Sequence, residues 1–193
     1  MIADLIKANR SCRRFDEKHP IASSTLIELT DLARMSASAA NLQPLKYILS
    51  CEPATNAKIF DCLAWAYYLK DWPGPGPGER PGAYIIMLND TGISKTLDCD
   101  HGIAAQSILL GAREKGLAGC MLAAVNRPKL SAALKIPEPL KIMLVLAIGK
   151  PGETIVIDDL QTQGDIRYWR DEEQIHHVPK RRLEDIVIAS YEI

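Results

Sequence analysis

Arg10-Ser11-Cys12-Arg13-Arg14-Phe15 puts three guanidinium groups and a hydroxyl within six residues, just past the apolar-periodic Ile2-Ala3-Asp4-Leu5-Ile6. A guanidinium is a planar fork of donors that matches phosphate oxygens and stays charged at biological pH. Ser11 adds a further hydrogen-bonding group. The stretch suits one phosphate group, the alternative being a solvated basic patch at a helix end. Cys12 sits among these cations, which favour a thiolate, so it is either a reactive thiol or a packed one.

Outward from this stretch, helices and strands alternate. Residues 2 to 9 read as a short helix. Ser23 and Ser24 are candidate caps for the next, with Glu28 in support, and Leu26, Leu29 and Ala33 form its buried face. A loop of small and polar residues follows, from Met35 to Pro44. Lys46 to Ser50 reads as a strand, and residues 54 to 70 as a helix with Ile59, Leu63 and Ala66 on one face. Trp72-Pro73-Gly74-Pro75-Gly76-Pro77-Gly78 breaks the pattern. It lacks the Gly-Lys-Ser/Thr ending of a phosphate cradle, and its prolines donate no N–H, so it reads as a surface loop or lid.

Ala83 to Leu88 reads as a strand. Asp98 to Lys115 reads as a helix apolar almost all round, central or in an interface, stopped by Gly116. Gly119 to Val125 and Ile142 to Ile148 read as strands around a short helix from Pro128 to Leu134. After Pro151-Gly152 the chain turns polar and loses periodicity until Val178-Pro179-Lys180-Arg181-Arg182 and a strand-like run from Ile186 to Ala189. The class is α+β or α/β.

The 193 residues suggest one domain, or one with an extension. A composition 47% hydrophobic and 24% charged, with net charge −1, gives no sign of bulk nucleic-acid or membrane binding. Five widely spaced cysteines without a Cys-x-x-Cys suit free thiols in a reducing compartment. Lys7 and Arg10 follow too soon for a secretory signal, so a cytoplasmic protein is expected.

Further groups carry chemistry. Lys180, Arg181 and Arg182 form a second basic cluster, which either meets the first on one phosphate or is a solvated tail. Ser38, Asn41 and Gln43 gather in one loop, as ordinary turn residues or as partners for a heterocycle edge. Gln106 lies on the apolar helix and needs a backbone or ligand partner if buried. Trp65, Tyr67, Tyr68 and Trp72 form either a wall for planar substrates or core packing. Asp98, Cys99, Asp100 and His101, with His176 and His177, are metal-capable but match no known ligand spacing; no metal is expected.

These residues carry a resemblance. Residues 9 to 15 resemble the Arg-Arg-Ser-x-Arg-x-Phe opening of the FMN-dependent nitroreductase family. Ser36-Ala37-Ser38-Ala39-Ala40-Asn41-Leu42-Gln43-Pro44-Leu45 resembles its Ala-Pro-Ser-x-x-Asn-x-Gln-Pro-Trp loop. Ala104-Ala105-Gln106, Lys115-Gly116-Leu117-Ala118-Gly119-Cys120, Ile148-Gly149-Lys150-Pro151 and Pro179-Lys180-Arg181 follow in the family's order. Asn9, Ala37 and Leu45 depart from its usual Arg, Pro and Trp.

The resemblance implies an α+β fold with a central mixed sheet flanked by helices, residues 1–193 forming one FMN-binding domain. Residues 151–193 would be an extension that reaches a partner subunit. It implies an obligate homodimer with FMN sites at the interface, no metal, and NADH or NADPH as reductant for a small aromatic, quinone or nitro acceptor. Arg10, Ser11, Lys180 and Arg181 would hold the phosphate, and Arg13 would lie near the N1/O2 edge. Ser38, Asn41 and Gln43 would close the site, Gln106 would belong to the cofactor shell, and the backbone of Leu122, Ala123 and Ala124 would face N5. The chemistry needs no thiolate, which makes Cys12 a structural thiol. Family members run several reactions, so dehalogenation, dehydrogenation and flavin cleavage are alternatives, as is a non-enzymatic anion-binding module.

Overall fold

A computed structural model describes residues 1–96, 98–160 and 164–191. The chain runs α1 (Ile2–Ala8), β1 (Phe15–Asp16), α2 (Ser23–Arg34), β2 (Leu45–Ser50), α3 (Pro53–Phe60), β3 (Ala83–Asp90), α4 (Asp100–Glu114), β4 (Ala118–Leu122), α5 (Arg127–Leu134) and β5 (Leu140–Pro151). A polar segment adds β6 (Ile155–Asp159), β7 (Trp169–Arg170) and β8 (His176–Lys180).

The main sheet has the order β1-β5-β3-β2, with β4 also on β5, and each of these pairs is antiparallel. The second sheet, β6-β8-β7, pairs β6 and β8 in parallel. A parallel bridge also ties Ser11 to Gly119. β3 lies between β2 and β5 and is buried on both faces, which explains its unbroken apolar run. Tyr84, Ile86 and Leu88 enter one core with Phe15, Ile59 and Trp65. Ala83, Ile85 and Met87 enter the other, under α2 and α4. Gly149 and Gly152 seat Phe15 against β5: an added Cβ would stand 2.7 Å from the Phe15 ring at Gly149 and 2.8 Å from its backbone at Gly152.

Several elements differ from the sequence expectation. The helix expected over 54–70 ends at Phe60, because the next residues are claimed by distant backbone: Ala64 N–H donates to Ala124 O (2.9 Å) and Asn126 N–H to Cys62 O (2.8 Å). Ala66 then takes φ 44°. Ser23 and Ser24 do not cap α2; Ala22 is its N-cap, and Glu28 pairs with Lys115 Nζ at 2.6 Å. The strand expected over 119–125 ends at Leu122, and α5 is capped by Asn126, whose side chain accepts from Lys129 N. α4 is not covered all round, since Ile103 is 37% exposed. Residues 186–189 form no strand and lie exposed, whereas the segment read as aperiodic carries a three-stranded sheet. Residues 161–163 and 192–193 of the expected extension lie outside the described residues.

Candidate active site

The arginine stretch is stapled by an acid the sequence reading did not single out. The backbone N–H groups of Arg13 and Arg14 both donate to Glu153 Oε1, at 2.5 and 3.2 Å. Arg170 Nη2 donates to Glu153 Oε2 at 2.9 Å, and this pair is buried, with side chains 7% and 2% exposed. The two backbone donors use the remaining acceptor capacity of Glu153, which helps a buried ion pair offset its desolvation, while Arg170 Nε has no partner among the described residues. Trp72 lies beneath two guanidinium groups, Arg170 at 4.4 Å and Arg14 at 5.7 Å from the ring centroid.

Arg13 is thereby fixed in direction. Its Nη1 donates to Ser11 O (3.3 Å) and to His176 Nε2 (3.3 Å), and its guanidinium lies 4.6 Å from the Tyr168 ring centroid. Arginine has no lone pair to offer, so His176 Nε2 must be the acceptor and the ring neutral with its proton on Nδ1. The surroundings agree. Burial, helped by Arg13 and Arg170 and opposed by Glu153, pushes the His176 pKa down to about 4.

A cleft of about 250 Å³ opens beside Arg13. Its walls are residues 64–67, the end of β4 from Cys120 through Leu122, Ala123 and Ala124, and Tyr168. Trp65 is mostly core, whereas Tyr67 is 83% exposed. Tyr68 packs edge-on to Tyr67 and Tyr168 and lines a neighbouring cleft of about 440 Å³ with Trp169. Trp72 stands apart from the first cleft. Cys12 is buried, and its Sγ donates to Arg14 O; burial and the nearby Glu153 push its pKa up to about 12, away from a nucleophile. Burial likewise raises Cys120.

Arg10 Nη2 caps Ile6 O at 2.6 Å, while its Nε is buried without a partner among the described residues. Ser11 is exposed beside it. The Arg13 cation at the edge of an apolar-walled cleft suits an anionic, planar cofactor, and the unpartnered Arg10 N–H adds a donor two residues before Cys12 in the same stretch.

The remaining predicted residues lie elsewhere in the chain. Ser38 and Gln43 line a cavity of about 220 Å³ with Tyr47 and Asp100, residues packed toward the α2–α4 side of the sheet. There the Asp100 carboxylate accepts from Ser38 Oγ (2.5 Å) and Ala39 N–H (3.0 Å). Ser38 Oγ in turn accepts from Gln43 N–H, and Gln43 Nε2 donates to Asn41 O. Ala40, Asn41 and Gln43 all have positive φ (48°, 56° and 51°), so the loop is held in a costly shape. Gln106 Oε1 accepts from Asn9 Nδ2 at 3.5 Å. Lys180 and Arg181 are exposed, and among the described residues neither bonds Arg10 or Ser11. Nor do three or more metal-capable side chains converge among the described residues.

An α+β chain with an arginine-flanked cleft at the end of a sheet strand defines the class, and comparison with known proteins agrees. The nitroreductase family model matches residues 6–150, and the chain belongs to the nitroreductase family. It is 26% identical over 189 aligned residues to the 5,6-dimethylbenzimidazole synthase of Rhodospirillum rubrum, covering 83% of this chain and 86% of the relative. Its fold resembles an FMN-dependent nitroreductase from Clostridium difficile R20291 (TM-score 0.64, 20% identity, 77% and 87% of the two chains). It also resembles the NADPH:FMN oxidoreductase of Vibrio harveyi solved with NAD+ (TM-score 0.61, 18% identity, 79% and 69%). Family and fold together make the chain an oxidoreductase of nitroreductase type.

Proposed function

We propose that the protein is an FMN-dependent oxidoreductase that passes hydride equivalents from NADH or NADPH to a small aromatic, quinone or nitro acceptor. The observation that carries this reading is the Arg13 guanidinium, held by His176, Ser11 O and Tyr168 at the edge of an apolar cleft. FMN bound there would supply reversible two-electron hydride chemistry at N5. Arg13 supplies fixed positive charge for the N1/O2 edge. Arg10 and Ser11 take the phosphate with Lys180 and Arg181, and the chain at Leu122–Ala124 lines the N5 side. Tyr67, Tyr68 and Trp65 exclude water and orient a planar acceptor.

The Ser38–Gln43 loop, with Gln106, completes the site of a second copy in a homodimer. Two observations support this arrangement. Within one chain the loop packs toward the opposite core from the Arg13 cleft. Apolar Ile2 and Ile6 of α1 and Ile103 of α4 are also exposed. We place the enzyme in the cytoplasm; no described helix is long and apolar enough to cross a membrane.

Heat release of the cofactor followed by chromatography tests the reading: FMN is expected, while FAD or no flavin overturns it. Anaerobic bleaching of the flavin band by NADH or NADPH checks the reductant. A second reading, flavin cleavage, is favoured by the 26% identity to a 5,6-dimethylbenzimidazole synthase. Chromatography of reduced FMN incubated with the protein in air separates the two, since only cleavage yields the benzimidazole.

A further inference from the structure

A second cavity, of about 290 Å³, lies between α3, the turn at 17–21 and the start of β3. It has none of the Arg13 cleft's lining residues, and its chemistry is unassigned. Arg80 stands in its wall with its guanidinium 4.3 Å from the Phe60 ring centroid. Among the described residues Arg80 makes no ion pair, and its Nε is buried with no partner. Glu17 also stands in the wall, with one carboxylate oxygen accepting the Gly78 N–H, and its single charge is outnumbered in the lining by Arg80 and Lys18.

Tyr84 supplies an independent observation. The residue is 1% exposed and lines this cavity. Burial raises its pKa, the charge of Arg80 lowers it and that of Glu17 raises it, so Tyr84 lies in the field of both charged groups. Lys18 adds a second cation at the wall.

A guanidinium stacked on a ring keeps its N–H edge for a coplanar acceptor, and a carboxylate fills that fork with two parallel bonds. A buried donor left unpaired is costly, and a ligand oxygen would satisfy it. Ile21 and Ala57 give the rest of the cavity an apolar wall suited to a small hydrocarbon body.

We propose that this cavity is a binding site for a small organic carboxylate, with its oxygens on Arg80 and the Tyr84 hydroxyl and its apolar body against Ile21 and Ala57. The site stands independently of the flavin reading. It also adjoins it: Phe60 packs against Trp65, a wall of the Arg13 cleft, with ring centroids 5.9 Å apart.

Calorimetric titration of the protein as purified with benzoate, benzamide and inorganic phosphate tests the proposal. Benzoate should bind saturably, and benzamide and phosphate should bind at least about tenfold more weakly. Arg80→Gln should weaken benzoate by about tenfold or more, as expected for a lost charge-assisted bond. Tyr84→Phe should weaken it a few-fold while keeping the ring in the core. Ala57→Trp, at an exposed position of α3, should block the cavity with an unchanged melting temperature, which guards against misfolding of the Arg80 variant. Absence of benzoate binding, equal binding of benzamide or phosphate, or benzoate affinity unmoved in both Arg80→Gln and Ala57→Trp would overturn the proposal.

Discussion

From Ala83 to Asn89 every residue of β3 is buried, whereas β6 and β8 are mostly half-exposed and Ile157 is 43% exposed. The main sheet is held by apolar burial from both sides. The small sheet is held by charge. Glu153 binds Arg170 and two backbone N–H groups beside it, and His177 sits between Asp158 (3.0 Å) and Asp171 (3.3 Å) while stacking on Trp169. Apolar burial is non-directional and insensitive to pH, whereas ion pairs depend on protonation. One chain therefore carries a pH-indifferent scaffold and a pH-responsive segment, and the responsive one orients Arg13.

The largest expected effect comes from breaking the staple. Glu153→Ala leaves Arg170 buried without its counter-charge and two N–H groups unpaired. The expected cost is about 3–5 kcal/mol, concentrated in faster hydrogen exchange of β6, β7 and β8. Uniform loss across both sheets would contradict the division. Ile86→Ala should cost a comparable but slightly smaller amount, about 2–5 kcal/mol, by leaving a cavity in the main sheet. That loss should be the same at pH 5 and pH 8 in denaturant titrations; a strong pH dependence would show that the main sheet also relies on titrating groups.

A smaller effect concerns the adjacent histidines, whose shifts have opposite signs. His176 is depressed to about 4, so the unfolded segment binds its proton more readily. Its contribution is present above the ordinary value of 6.5 and is lost as pH falls toward 4. His177 is raised, chiefly by its hydrogen bond to Asp158, so its contribution is present below the ordinary value and is lost as pH rises through the raised one. Exchange in β8, corrected for the intrinsic rate, should be slowest near pH 6 to 7 and rise on both sides. His177→Gln should remove the alkaline arm alone; a profile that climbs in one direction only would contradict the assignment.

The same division explains what was legible in the sequence. β3 and the buried part of β5 show as unbroken apolar runs, and the arginine stretch, the 36–45 loop and Gly149-Lys150-Pro151 mark the family by local pattern. The small sheet escaped because its hydrogen bonds and ion pairs join residues without apolar periodicity, and Glu153 meets its partners Arg13 and Arg14 across 140 and 139 residues. Helical spacing runs past the end of α3 because residues 62–64 are claimed by backbone near Ala124, a tertiary choice invisible to that spacing. At the site, Arg13 was legible as a cation, but its supports Tyr168 and His176 were not. The available signal was a pair of aromatics and a pair of histidines inside an otherwise polar stretch. The Ser38 loop was legible as a polar group, while Asp100, which holds it, was read only as a possible metal ligand.

We propose that Arg13 would act on the electronics of a flavin in the cleft and Arg10 on its phosphate. Potentiometric titration of Arg13→Ala and Arg10→Ala, each saturated with FMN, tests this most directly. A cation at the edge where charge develops stabilises the two-electron-reduced state more than the oxidised one. At two electrons, about 30 mV corresponds to roughly 1.4 kcal/mol, so Arg13→Ala should lower the potential by some tens of millivolts. Arg10→Ala should weaken FMN binding and leave the potential of the saturated protein nearly unchanged. Equal potentials in the two variants would remove Arg13 from the flavin edge and leave it as scaffold for the C-terminal sheet.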